Sequence, residues 1–381
     1  MNLANSPRNS VTSHQLHAIV VGGSLSGLCA TLALARRGWS VTTIERAIGE
    51  PPGGAGLGLD RQMLSRITGI DTTMIPVVSG NRDSAAWSLT RECLADAVRR
   101  TASAQLIEST TVTGLAGCTG TSRVAVESTA GVFGGDVVVG ADGVHSVMRG
   151  FVDPQRPLAR YAGYMLWRGL VAETDIPGGI GNRGQNVEMY AAPGAKLVIY
   201  GVPGSDGRTD RGHRRISYAW YDAGRTELLH ETGCIEGDAV LGTLSAVQIP
   251  KDVIVQLDVF AQEHWPSPWT DCIRWALRQG HVFGTPVAEY WPRRLVRERV
   301  ALVGDAAHVA SPMTGAGFHN ALSDVGALAA TLGDILASGV PRGLQSYEQL
   351  RLHRAQEFVA SSMSWSQGYL SSLPPRRIQG P

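Results

Sequence analysis

The run HAIVVGGSLSG, which begins at His17, constrains this chain more than any other stretch. A short, apolar, β-branched segment ends in two glycines. It passes at once into residues 28–37, rich in Ala and Leu, which read as a helix. Residues 40–45 (SVTTIE) then read as a second strand. Two strands joined through one helix at this spacing form a βαβ unit with the strands parallel. In such a unit Gly22 permits the tight turn and Gly27 lets the helix pack close to the strand. The amides at the helix start then face a pyrophosphate. Ser24 stands where the G-x-G-x-x-G pattern has its second glycine, and a small side chain there still lets phosphate approach. Glu45 closes the second strand 23 residues after Gly22, where an acid holds ribose hydroxyls, and Arg46 beside it joins the same set.

Composition narrows what surrounds this unit. The 381 residues are too many for one ordinary core and suggest two domains. Charged residues make up 18% and the formal net charge is +1, so no global field draws in nucleic acid. Of the 34 basic residues only Lys196 and Lys251 are lysine, so an isolated arginine carries little functional weight. Cys29, Cys93, Cys118, Cys234 and Cys272 are scattered without a CxxC pair, which fits neither a disulfide framework nor a metal site and suggests a reducing cytoplasm. Residues 1–15 are polar and do not read as a signal peptide. No apolar run is long enough to span a membrane.

Further along, residues 90–100 read as a helix and 136–140 as an apolar strand. The middle changes character. Residues 161–171, 187–192, 197–202 and 216–221 read as Tyr- and Trp-rich antiparallel strands. Residues 299–303 return to a buried strand, 315–336 read as a long helix, and 344–363 as a helical tail. The expected fold class is therefore α/β: a discontinuous Rossmann-like domain (16–65, 88–155 and 286–340), an inserted β-rich substrate domain (66–87 and 156–285), and a C-terminal helical segment and tail (341–381). A second G-x-G-x-x-G, Gly179 to Gly184, has neither a strand before it nor a helix after it and reads as a loop.

Two more signals follow apolar strands. One is Gly140-Ala141-Asp142-Gly143-Val144-His145-Ser146-Val147-Met148-Arg149. The other is Gly304-Asp305-Ala306-Ala307-His308, continuing through Pro312 and Gly315-Ala316-Gly317 into the long helix. A carboxylate at a strand end can bind a sugar or ribityl hydroxyl, and a glycine-rich helix start can set amides and a positive dipole against developing negative charge. With these residues the chain resembles the class A FAD-dependent aromatic hydroxylases, the para-hydroxybenzoate hydroxylase family, over residues 16 to 355. The sheet segments YAGYMLWRG, YGVPGSDG and RRISYAWY resemble the 2,6-dihydroxypyridine 3-hydroxylase-like subgroup.

The resemblance implies FAD as cofactor and NAD(P)H as co-substrate. Gly22, Ser24, Gly27 and Glu45 would hold the ADP half, and Arg91 the phosphate or ribityl region. Asp142 and Gly143 would serve both FAD and NAD(P)H, while Gly304 and Asp305 would meet the ribityl chain. Pro312, Gly315, Ala316 and Gly317 would line the isoalloxazine. It further implies that NAD(P)H reduces the flavin, that oxygen adds at the C4a carbon as a hydroperoxide, and that one oxygen atom passes to an activated aromatic or N-heteroaromatic small molecule. Tyr164, Tyr200, Trp220 and His319 are the pocket candidates, although aromatics in a half-buried sheet are most often packing residues. His145 and His308 read as structural. A flavin-dependent epoxidase or oxidase, and a non-catalytic flavin-binding protein, remain open alternatives. A nicotinamide-only dehydrogenase would leave Asp142 and Asp305 unexplained. Expected partners are the small aromatic substrate and O2, with no nucleic acid, membrane or metal. Monomer and homodimer stay open, and the location expected is cytoplasmic.

Overall fold

The computed structural model describes residues 15–47, 55–117 and 123–372. Cys118, most of the polar N-terminal stretch and the end of the C-terminal tail lie outside the described residues. The first sheet has six strands in the order Val296–Arg297, Val300–Leu302, Val137–Gly140, His17–Val21, Ser40–Ile44 and Ala104–Ile107. The pairings are parallel except at the Val296–Arg297 edge. Its central strands, HAIVV, VVVG and VAL, are near-continuous apolar runs because both faces are covered, as parallel sheets require. The register matters for function. Val21 pairs with Gly140, and Gly140 with Leu302, so three strands end at one edge. The turns beginning at Gly22, Gly140 and Gly304 therefore leave the sheet side by side, where open α/β sheets bind ligands.

The second sheet is antiparallel. Glu188–Ala192, Ala195–Val202, Arg215–Asp222 and Arg160–Ala172 lie in that order, and Phe283–Glu289 also pairs with Arg160–Ala172. Alternation divides its side chains between two environments. Trp167, Leu197, Ile199, Tyr218 and Trp220 face the helices Lys251–His264 and Trp269–Arg278 in a separate core. Tyr164, Leu166, Tyr221 and Val287 face the other way, toward Met313 and the C-terminal helix Val340–Ser371. The expected split of Tyr164 from Trp167 holds.

Four sequence readings shift. The first helix spans Leu25–Ala35 and so starts at the glycine turn itself. The long helix expected over 315–336 spans only Gly317–Thr331. Gly315 closes a tight turn in the left-handed conformation before it, and Asp334 takes positive φ after it. The tail helix is longer than read, at 32 residues. Phe283–Glu289 is one strand of the second sheet along its whole length, so the expected boundary at 285/286 falls inside a strand. Two small antiparallel sheets, one of Gly56–Gly58, Ser84–Ala86 and Val77–Val78, the other of Val112–Gly117, Val124–Ser128 and Gly131–Gly135, are not legible from periodicity.

Trp220, 2% exposed, stacks on Phe260 and meets Trp265 edge-on. Its replacement by alanine should lower the unfolding free energy by about 3–5 kcal/mol, the usual cost of emptying a large aromatic site, read as a shifted urea midpoint.

Candidate functional site

Gly22 and Gly27 fix the first turn. Gly22 has φ +107°, and a Cβ there would run into the Ala141 carbonyl. A Cβ on Gly27 would overlap the Gly22 carbonyl oxygen. The helix Leu25–Ala35 begins at Ser24, which makes no side-chain cap, and it carries no acid in its first turn. The helix Gly317–Thr331 likewise starts from Ala316 without a side-chain cap or an early acid. Free amides and the positive dipole end thus remain available at both starts. Glu45 reaches the turn as its position suggested. Its Oε2 accepts from the Gly23 amide at 2.6 Å and its Oε1 from the Ala47 amide at 2.8 Å. Arg91 is buried below the same turn, donating from Nε to the Gly23 carbonyl at 3.0 Å and pairing with Glu108 at 3.0 Å.

The other two turns meet across a cleft of about 330 Å³. Asp142, Gly143 and His145 line one side with Arg46, and Asp305 and Pro312 line the floor. Leu166 and the segment Thr285 to Ala288 bring the second sheet in as the opposite wall. Asp142 is largely committed: it accepts from the Ser146 hydroxyl at 2.6 Å and from the amides of Val147 and Met148 at 2.7 and 3.1 Å. Burial pushes its pKa up, against the pull of those bonds. Asp305 is open to the cleft yet hemmed in by protein. That partial desolvation pushes its carboxyl up, and the positive fields of His308 and Arg149 oppose it. His145 is held below its usual pKa by burial and by Arg149 and Arg46, so it is neutral at pH 7.

Two residues hold this edge in shape. Arg149 is fully buried and donates to five carbonyls: Ala306 at 2.9 Å, Asp305 at 2.6 Å, Gly143 at 3.2 Å, Val144 at 2.7 Å and Pro157 at 3.3 Å. Asp324, from the helix Gly317–Thr331, accepts from the Gly304 amide at 3.0 Å, His308 Nε2 at 2.7 Å and Arg351 Nε at 2.8 Å. Burial opposes its ionisation, but His308 and Arg351 outweigh that and hold the carboxyl below its usual range. His308 is thus structural, as read.

The pocket candidates separate. Trp220 is a correction: period-2 alternation turns it into the core under the helices, away from the cleft. Tyr164 lies on the right face but behind the cleft, donating to Ser311 Oγ at 2.8 Å and bonded to Ser366 Oγ at 2.9 Å. Burial raises its pKa. Tyr200 packs against Gly56, and its pKa is also raised by burial. His319 is exposed in a neighbouring groove of about 250 Å³, 3.8 Å from Asp60, together with Gly315, Ala316 and Arg82. The Pro312-to-Ala316 loop divides this groove from the main cleft. A larger hollow of about 700 Å³ lies between Ala191–Lys196 and the C-terminal helix, and its walls include no residue of the three turns. Sequence reading missed Arg149 as a clamp and Thr285 to Ala288 as a wall. The alternation through FGTPVAE was the available signal for the second. The loop reading of Gly179 to Gly184 holds, because no helix follows it. Cys29, Cys93, Cys234 and Cys272 are free thiols. Among the described residues there is no cluster that could hold a metal, and no helix is long and apolar enough to cross a membrane.

Family models described as "FAD binding domain-like" and "FAD binding domain" match residues 161–276 and 280–362. The chain is 27% identical over 379 residues to the aurachin C monooxygenase/isomerase of Stigmatella aurantiaca, covering 91% of this chain and 88% of that one. It is 30% identical over 224 residues to the 3-amino-4-hydroxybenzoate 2-monooxygenase of Streptomyces cremeus, where it spans 58% of this chain and only 47% of the relative. Its fold is that of 2,6-dihydroxypyridine-3-hydroxylase from Arthrobacter nicotinovorans, with a TM-score of 0.78 at 21% identity over 97% and 96% of the two chains.

Arg149→Met should destabilise strongly, since each buried carbonyl left without a donor costs about 1–3 kcal/mol, and Arg149→Lys should recover little of it because a point cation cannot reach five carbonyls. Asp324 makes a second, pH-dependent prediction. Its depressed pKa contributes stability that is complete above the unfolded value of about 3.9 and is lost as pH falls through the lower folded value. Asp324→Asn should therefore flatten the acid limb of a stability-versus-pH curve.

Proposed function

We propose, from the premise that this chain is class A FAD-dependent aromatic hydroxylase-like and a flavoprotein monooxygenase, that it hydroxylates an activated aromatic or N-heteroaromatic small molecule with NAD(P)H and O2. One observation carries this reading: three glycine turns leave one sheet edge together, and the cleft between two of them is closed by a second, antiparallel sheet. FAD, when bound, would take two electrons from NAD(P)H and activate O2 for transfer of one oxygen atom.

The residues present suit that cofactor. Gly22, Ser24 and Gly27 leave a helix start open for the pyrophosphate, and Glu45 can trade its bond to the Gly23 amide for ribose hydroxyls. Arg91 supports the turn through the Gly23 carbonyl. Asp305 offers an accessible carboxylate to a ribityl hydroxyl. Pro312 in the cleft, with Gly315 and the open amides from Ala316 and Gly317 beside the adjoining groove, would flank the ring, at a helix end that favours negative charge. Asp142 holds the Gly143 turn in place by capping the next helix. The substrate would lie between Pro312 and the sheet wall, a largely apolar space that excludes water from the reacting atoms. NAD(P)H would visit the flavin domain transiently, since no second dinucleotide fold is present among the described residues.

Purified FAD-loaded protein should consume NAD(P)H faster with one member of a panel of hydroxypyridines and phenols and yield a product one oxygen heavier. Equal consumption with and without every compound, with peroxide as the only product, would favour an oxidase. Asp305→Ala should copurify with far less FAD, and an unchanged flavin content would remove Asp305 from this role.

A further inference from the structure

The groove beside the main cleft, of about 250 Å³, is lined by three ionisable side chains: Asp60, Arg82 and His319. Asp60 is committed elsewhere. Its Oδ1 accepts from the Met63 amide at 2.8 Å, capping the helix Arg61–Thr68, and its Oδ2 lies 3.8 Å from His319 Nδ1. Among the described residues Arg82 pairs with no acid, yet its place is closely set. Its Nη2 donates to the Gly315 carbonyl at 2.7 Å. Its guanidinium also lies against two glycines. A Cβ on Gly58 would fall 2.1 Å from Arg82 Nε and 2.3 Å from Cζ, and one on Gly315 would fall 2.6 Å from Nη1. Gly315 has positive φ, so its turn favours glycine in any case. Gly58 has no such need, and what a side chain there would displace is the guanidinium. The loop that carries Arg82 is held from behind. The Asn81 amide donates to Asn186 Oδ1 at 2.8 Å, the Val187 amide to Asn81 Oδ1 at 3.0 Å, and the Leu59 amide to the Asp83 carbonyl at 3.1 Å.

A cation is thus fixed to the turn that precedes the helix Gly317–Thr331. The charge of Asp60 is drawn instead to the helix start that it caps. Arg82 is exposed, so water screens it. A ring seated beside the turn displaces part of that water and feels the cation more strongly. A hydride, two electrons with one proton, leaves a flavin ring with one net negative charge, and a nearby cation favours that form. We propose that Arg82, by holding its guanidinium at the Gly315 turn, makes the bound flavin easier to reduce, and that Gly58 is a glycine to leave room for that guanidinium. Arg82 then sets the flavin's potential and not its affinity. This rests on the monooxygenase reading above, which seats the ring beside Gly315 to Gly317.

The test compares FAD-loaded wild type with Arg82→Ala, Arg82→Lys, Gly58→Ala and the double variant Gly58→Ala/Arg82→Ala. Sulfite is the probe. It adds to the oxidised flavin and leaves a negative charge on the ring, so its affinity, followed by the flavin absorbance, reports the field there. Arg82→Ala should bind sulfite about tenfold more weakly, the order of one partly screened charge. Its two-electron reduction potential should fall by about 30 mV, the same tenfold change converted. Arg82→Lys keeps the charge and should stay nearer to wild type than to Arg82→Ala. The gap between wild type and Arg82→Ala should narrow in about 1 M salt. Gly58→Ala should mimic Arg82→Ala by displacing the guanidinium, and should add little in the Arg82→Ala background. FAD content should be the same in every form. The inference is overturned if Arg82→Ala binds sulfite like wild type or loses its FAD, or if Arg82→Lys behaves as Arg82→Ala does. It is also overturned if Gly58→Ala weakens sulfite binding as much without the arginine as with it. A wild-type protein that takes up no FAD would instead overturn the monooxygenase reading.

Discussion

The geometry of the cleft depends on one buried guanidinium. Arg149 sits where the Gly140 and Gly304 turns would otherwise expose their carbonyls to each other, and it satisfies carbonyls from both. Buried carbonyl groups without partners are costly, so the two turns are stable at this separation only while a planar, multiply donating cation lies between them. The arginine comes from the second turn's own helix, so the same short segment supplies a wall of the site and the brace that spaces it.

The second constraint runs through the helix that starts at Gly317. Asp324 lies on its second turn and ties the Gly304 amide to His308 and to Arg351 of the C-terminal helix. The C-terminal helix in turn meets Tyr164 through Ser366, and Glu289 of the second sheet accepts from Ser362 and Ser366. The long terminal helix is therefore a strut between the parallel sheet and the antiparallel one. The two sheets need such a strut because the cleft between them is not itself packed.

How much of this was legible in the sequence depends on the range of the interaction. The three turns were legible because each is local: a strand, a glycine and a helix within a few residues. The two-faced sheet was legible as strands, and alternation placed Tyr164 and Trp167 on opposite faces. It does not say which face meets the cleft, so Trp220 reads from sequence as a pocket candidate although it belongs to the core. The role of Arg149 was hidden for a different reason. In a chain whose basic residues are nearly all arginine, one more arginine after a glycine turn is unremarkable until the carbonyls of Asp305 and Ala306, 156 and 157 residues away in sequence, are brought against it. Thr285 was hidden because its strand lies beyond the segment that reads as the second sheet and joins it only through pairing with Arg160–Ala172.

Two helices of this protein start with no side chain of their own to cover their first amides. A helix usually gains about 1 kcal/mol from such a cap, and here the chain leaves one start at the Gly22 turn and the other on the groove beside the main cleft for a ligand to cover. A dinucleotide filling them would serve as a missing piece of secondary structure as much as a reagent. Folding and loading would then be one equilibrium, so the amount of intact protein in a cell would rise and fall with the supply of that ligand.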